Sequence, residues 1–249
     1  MCGRFVQPYT WQQIHDHLDG FINLMQTIPD DVVTQMPPRY NIAPTQPIVV
    51  LHEEAGQTKA TMMRWGLVPS WVKDPREFPL IINARYETIM EKPAFRGGLR
   101  HHRCIMPASG YYEWRKGANG KKQPYYIARQ DGDPMFFAGI YSDWMGPSGE
   151  EIDTAAIITV PANSEMKHLH ERTPAILSRQ QARDWLDVGT VGATQAHNML
   201  GPLPEGMATF HPVSTRVNGV KTDDQSLIVA TTSEMPEPAG KKDGQLDLF

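Results

Sequence analysis

Cysteine is scarce in this chain of 249 residues: Cys2 and Cys104 are the only two, too few for a disulfide framework or a four-thiolate zinc site. No apolar run approaches the roughly 18 residues that span a bilayer, and the opening MCGRFVQPYT has no apolar stretch of a secretory signal. The expected compartment is the cytoplasm. Histidines occur as close pairs, His15 and His17, His101 and His102, His168 and His170, but none has the helical spacing with an intervening Glu that marks zinc peptidases. Neither a catalytic metal nor a cofactor is expected. A large charge excess is missing as well: the formal net charge is -4, which excludes a protein that coats nucleic acid by bulk electrostatics.

The charge that exists is unevenly spread. Six acidic residues stand against three basic ones from Lys221 onward, whereas Phe95 to Lys122 holds Arg96, Arg100, Arg103, Arg115, Lys116, Lys121 and Lys122 against Glu113 alone. That stretch could form a local anion-binding face, or simply a solvated hairpin around Gly117, Asn119 and Gly120.

Hydrophobic residues make up 40% of the chain, enough for a core. Thr10 with Gln13 is a capping box, and Trp11, Ile14, Leu18, Phe21 and Leu24 follow at helical spacing, so an early helix is predicted. A second is predicted over 179–187, where Ser178 and Gln181 repeat the signal. Between them lie β-type runs at Ile48–Leu51, Ala60–Trp65, Arg103–Met106, Tyr125–Ala128, Met135–Tyr141 and Ala155–Val160. The predicted class is α+β: a single β-rich domain over 2–230 with peripheral helices. Residues 231–249 read as a disordered linker, rich in Pro, Glu, Gly and Lys, that ends in QLDLF.

Position 2 is unusual for a cysteine. A small second residue normally permits removal of the initiator methionine, which would leave an α-amine and a thiol on one residue. Reference pKa values of about 7.7–8.0 for the amine and about 8.5 for the thiol give both nucleophilic fractions near neutrality. An aldehyde condenses with the amine to an imine, and the adjacent thiol closes a five-membered thiazolidine, far more durable than a simple Schiff base. The plainer alternative is a small, inert core cysteine.

Six ordered segments bear on the choice. They are Met1-Cys2-Gly3-Arg4-Phe5, Arg39-Tyr40-Asn41-Ile42-Ala43-Pro44-Thr45, Trp65-Gly66-Leu67-Val68-Pro69-Ser70-Trp71, Ile82-Asn83-Ala84-Arg85-Tyr86-Glu87-Thr88, the run Cys104 to Trp114 containing Gly110-Tyr111-Tyr112-Glu113-Trp114, and His170-Glu171-Arg172-Thr173-Pro174. In this order they resemble the SRAP family, named for SOS response-associated peptidase, over about residues 2 to 220. The resemblance implies covalent capture of abasic sites in single-stranded DNA, with Cys2 as the crosslinking nucleophile and Asn83 as the amide that positions cysteine and sugar. It implies Glu113 as a general acid/base and His170 as the residue assisting opening of the abasic sugar, a closed hemiacetal that needs proton transfer to expose its aldehyde. Taken singly, Glu113 could be a surface strand residue, Asn83 a helix cap and His170 a core imidazole.

Arg4, Arg85 and Arg172 are the candidates for phosphate contacts, and Pro44 and Trp71 for an apolar wedge against unstacked bases. Family members can carry a second tryptophan right after the one matching Trp71, where this chain has Val72. A cysteine peptidase or self-processing enzyme using Cys2, and a reversible binder of damaged DNA, are the competing functions. The expected partner is abasic single-stranded DNA, and the expected place the nucleoid at damaged DNA. Gln245, Leu246, Leu248 and Phe249 of the terminal peptide resemble the short motif with which bacterial repair proteins bind the DNA sliding clamp, a second expected partner.

Overall fold

Side chains of successive strand residues point to opposite faces, and in this chain both faces of the longest strands are apolar, which calls for a sheet covered on two sides. In the computed structural model, which describes residues 2–19, 22, 37–117 and 120–231, those strands close on themselves. The strands are β1 (Phe5–Gln7), β2 (Arg39–Ile42), β3 (Pro47–Glu54), β4 (Gln57–Trp65), β5 (Asn83–Arg85), β6 (Arg103–Ala108), β7 (Gly110–Lys116), β8 (Lys122–Arg129), β9 (Met135–Met145), β10 (Glu151–Pro161), β11 (Arg172–Pro174), β12 (Ile176–Leu177) and β13 (Ala208–Pro212).

The larger sheet runs β11-β10-β4-β3-β6-β9-β12, and β9 also pairs with β10. Strands β10, β4, β3, β6 and β9 therefore form a closed ring, with the β4–β10 contact parallel and the others antiparallel. The molecule is α+β, β-rich and built around this barrel. A second sheet, β13-β8-β7-β1-β2, packs against it.

Two apolar clusters sort the ring's residues by alternation. Ile48, Val50, Met63, Trp65, Cys104, Met106, Phe137, Ala155 and Ile157 face inward and join Cys2, Phe5, Ile42 and Tyr111 of the amino-terminal segment and the second sheet. Val49, Leu51, Ile105, Ala138, Ile140, Ala156 and Ile158 face outward and meet Leu18, Leu99, Trp185 and Ala196 of the helices. Burying a large apolar side chain is worth about 1.5–3 kcal/mol, so each helix is held chiefly by this stripe.

The first helix spans Trp11–Leu18 with both bonds of its capping box in place; the continuation of its apolar spacing to Phe21 and Leu24 lies outside the described residues. The helix Arg179–Leu186 likewise starts at a Ser178–Gln181 capping box. A helix at Pro93–His101 and a short one at Ala193–Asn198 were not signalled by the sequence. No helix among the described residues is long and apolar enough to cross a membrane. The terminal peptide with Gln245, Leu246, Leu248 and Phe249 lies outside the described residues.

The basic stretch does not make one face. Arg103 is 1% exposed and spends its guanidinium on the carbonyls of Leu99, Trp185, Asp187 and Val191. Arg96 and Arg100 sit on the Pro93–His101 helix, whereas Lys116 and Lys122 face each other across the β7–β8 hairpin.

Candidate active site

Phe5 fixes the start of the chain. It pairs with Ile42 on one side and Tyr111 on the other, and its ring meets the edges of Trp65 at 4.9 Å and Phe137 at 6.0 Å. The strand thus enters between two neighbours with its apolar face against the barrel interior, and Cys2, three residues earlier, is fully buried. Asn83, at the start of β5, donates from Nδ2 to the Cys2 carbonyl at 2.9 Å. β5 is itself held in parallel register with β10, Asn83 opposite Ile157, and the Trp65 indole donates to the Ile82 carbonyl at 3.0 Å.

Strand alternation brings in Glu113. Tyr111 belongs to the inward cluster with Cys2, and Glu113, two residues on, shares its face, while Tyr112 packs in a separate cluster behind the sheet. Glu113 is buried. Burial raises its carboxyl above the ordinary range, and nearby positive charge, His170 included, pulls it partly back. The Cys2 thiol is also pushed up, by burial first and by the Glu113 charge second. His170 Nδ1 lies 3.0 Å from the Arg172 backbone N–H and 3.2 Å from the Arg172 carbonyl, so both contacts hold the ring against its own turn. His168 is exposed and packs against Phe210 instead.

The three candidate arginines have different surroundings. Arg4 donates from Nη1 to Asn41 Oδ1 at 2.6 Å and to the Val217 carbonyl at 2.7 Å, and its guanidinium lies 5.9 Å from the centre of the Trp114 ring. Arg172 forks onto Glu87 at 2.7 and 3.0 Å and also bonds Thr159. Arg85, next but one to Asn83, is exposed. Trp71 is 59% exposed, edge-on to Phe78. Pro44 begins a turn whose next residue, Thr45, has φ 73° and donates its N–H to the Trp65 carbonyl. Pro44 is thereby linked to the same tryptophan that holds Ile82, next to Asn83.

One pair escaped the sequence reading. Tyr111 and Thr173, both buried, share a hydrogen bond of 2.8 Å, tying the Glu113 strand to the segment that follows His170. Both residues stand inside quoted motifs, yet 62 positions separate them, and nothing in either motif signals the contact.

A family model described as SOS response associated peptidase (SRAP) matches residues 1–220. The chain belongs to the SRAP family. Among curated SRAP-like relatives, abasic site processing protein YoqW from Bacillus subtilis is 34% identical over 92% of this chain and 99% of its own length. YedK of Escherichia coli, with the same descriptive name, is 34% identical over the same shares. Abasic site processing protein HMCES from Gallus gallus is 34% identical over 80% of this chain and 68% of its own. The SRAP fold also matches a crystal structure from Bacteroides thetaiotaomicron with TM-score 0.81, at 24% identity over 92% of this chain and all of that one. A phage-related protein from Bordetella bronchiseptica matches with TM-score 0.67, at 29% identity over 85% of this chain and 94% of the other.

Proposed function

We propose that this SRAP protein processes abasic sites in DNA by capturing the lesion's aldehyde on Cys2 in single-stranded DNA. The observation that carries the reading is the burial of Cys2 beside Glu113, with Asn83 holding its carbonyl. With Met1 removed, the α-amine attacks the aldehyde carbon, and loss of one water leaves an imine. The thiol then adds across the C=N bond: sulfur bonds to carbon, its proton passes to nitrogen, and the thiazolidine closes with no change of oxidation state.

Glu113, whose carboxyl burial raises above the ordinary range, is suited to donate to the departing hydroxyl, and His170 to move the proton that opens the sugar. Asn83 fixes the direction of the Cys2 backbone. A raised thiol pKa favours the amine as first nucleophile, and the imine is a far better acceptor for a weakly ionised thiol than a peptide carbonyl is. This sets the reading above a cysteine peptidase. Arg85, with Arg4 and Arg172, is assigned to phosphate, and Trp71 with Pro44 to the unstacked bases. Duplex DNA is disfavoured because extruding a sugar costs a few kcal/mol. The terminal Gln245–Phe249 peptide is assigned to the sliding clamp.

The test is a denaturing gel with an abasic single-stranded oligonucleotide, followed by intact mass. A band that survives boiling, with a mass equal to that of the protein without Met1 plus the oligonucleotide less one water, is expected for the native terminus and not for Cys2→Ser. Stable crosslinking by protein that retains Met1 would overturn the thiazolidine.

A further inference from the structure

Glu113 and His170 interact electrostatically, yet they come from different sheets. Glu113 lies on β7, which is bonded to β1 and β8 in the five-stranded sheet. His170 stands two residues before β11, the end strand of the larger sheet, which is bonded to β10. Among the described residues no backbone ladder pairs β7 with β11, so the spacing of the two side chains is left to contacts across the sheets. The Tyr111–Thr173 hydrogen bond, 2.8 Å long between residues that are each 2% exposed, crosses that gap.

Each end of the bond is joined to one of the two groups. Tyr111 and Glu113 are two apart on one face of β7, roughly 7 Å along the strand, so a shift of Tyr111 is passed to the carboxyl. The Tyr111 backbone is in register with Phe5, and its ring lies edge-on to Phe137 at 6.0 Å, in the apolar cluster that also holds Cys2. At the other end Thr173 is paired with Val160. The Arg172 backbone just before it holds Nδ1 of the His170 ring, so imidazole, turn and Thr173 move together. The phenol itself is not a proton carrier. Burial keeps it protonated against the bond from Thr173, and the Glu113 and Cys2 charges add to the effect of burial. A group whose pKa lies so far above neutrality is poorly matched to proton transfer and acts by holding its neighbours in place.

We propose that Tyr111 and Thr173 are positioning residues for abasic-site capture: their hydroxyl bond sets the Glu113 carboxyl of one sheet against the His170 imidazole of the other, and neither residue touches DNA or the reacting atoms. This role rests on the capture by Cys2 proposed above. It adds that the bond between the hydroxyls, and not the bulk of either side chain, fixes the geometry of proton transfer. A misplacement of about 1 Å can cost on the order of 10²-fold in rate. Loss of the bond should therefore appear in the chemical step and not in affinity for the strand.

The test times single-turnover capture by the full chain at saturating abasic single-stranded oligonucleotide. Affinity is measured by anisotropy on the same strand carrying a tetrahydrofuran analogue, which has no aldehyde to trap. Tyr111→Phe and Thr173→Val should each slow capture about tenfold, with affinity for the analogue within about twofold of native. The double variant should be no slower than the slower single one, because both changes remove the same bond. Thr173→Ser, which keeps the hydroxyl, should capture within about twofold of the native rate. Native rates in both single variants, a double variant slowed by the product of the two, a loss of affinity as large as the loss of rate, or Thr173→Ser as slow as Thr173→Val would each overturn the role. If Thr173→Val fails to fold, Tyr111→Phe, which lacks a single oxygen, decides by the same comparison of rate with affinity. A native protein that forms no adduct would sink the Cys2 reading and this role with it, whereas a native adduct with unslowed variants sinks the role alone.

Discussion

Glu113 carries an ionisable group into an apolar interior, and the consequence can be read in both stability and rate. Because burial raises its folded-state pKa, the neutral form is the one that suits the fold. The stability it contributes is complete below the ordinary carboxylate range and is lost as pH rises through the raised value. Glu113→Gln should therefore melt higher than the native protein at pH 8, by roughly 2–4 °C for each kcal/mol recovered, and the gap should close toward pH 4; differential scanning fluorimetry across that range measures it. On the role proposed for Glu113 the same substitution removes a proton donor, so capture of abasic DNA should slow by on the order of 10²-fold while affinity for the strand is kept. The arginines divide in a similar way. Arg85→Ala should weaken DNA binding and lower the slope of log affinity against log salt by about one, with an unchanged melting point. Arg172→Ala should lower the melting point as well, because its guanidinium is bonded to Glu87 and Thr159. Fluorescence anisotropy over a salt series beside a melting curve separates the two.

Arg103 shows how elements are joined. Its guanidinium binds carbonyls from the Pro93–His101 helix, the end of the Arg179–Leu186 helix and the turn beyond, and the Trp185 ring lies 5.6 Å away. A lysine has no fork and could satisfy only part of that set. Arg103→Lys should cost about 3 kcal/mol, seen as a lower midpoint in urea, with crosslinking at room temperature intact. Arg103 was read from the sequence as surface charge, and the reason for the difference is general: an Arg beside an apolar run looks the same whether its partners are water or carbonyls supplied from 80 residues away. The long strands and the two capped helices were legible because alternation, apolar runs and capping boxes are local signals. β1 and β2 were not, being only three and four residues long and strands solely through their partners. The Pro93–His101 helix holds Gly97 and Gly98, poor helix formers, and exists because Phe95 and Leu99 bury themselves on the barrel. In the site, the motifs singled out Cys2 and Asn83 separately. Their contact across 81 positions belongs to the fold.

At the scale of the whole molecule, the terminal peptide would act as a tether, raising the concentration of the protein where abasic single strands form. A synthetic peptide of residues 240–249 should bind the sliding clamp of the same organism with a Kd of tens of micromolar or tighter by calorimetry, on the order of −6 kcal/mol or stronger. Leu248→Ala with Phe249→Ala should abolish this and leave crosslinking in isolation untouched; no heat with the full chain would end the assignment. The barrel that places Cys2 has a kinetic side too. Its closure joins β4 to β10, with Arg64 opposite Thr154 and Trp65 opposite Ala155, so the last seam unites segments about 90 residues apart, and loop closure of that length must precede its reward. A ring also has no terminal strand to fray, so the amides of β3, β4, β6, β9 and β10 should exchange with solvent only when the entire ring opens. The chain therefore folds slowly and, once closed, loses its central strands together.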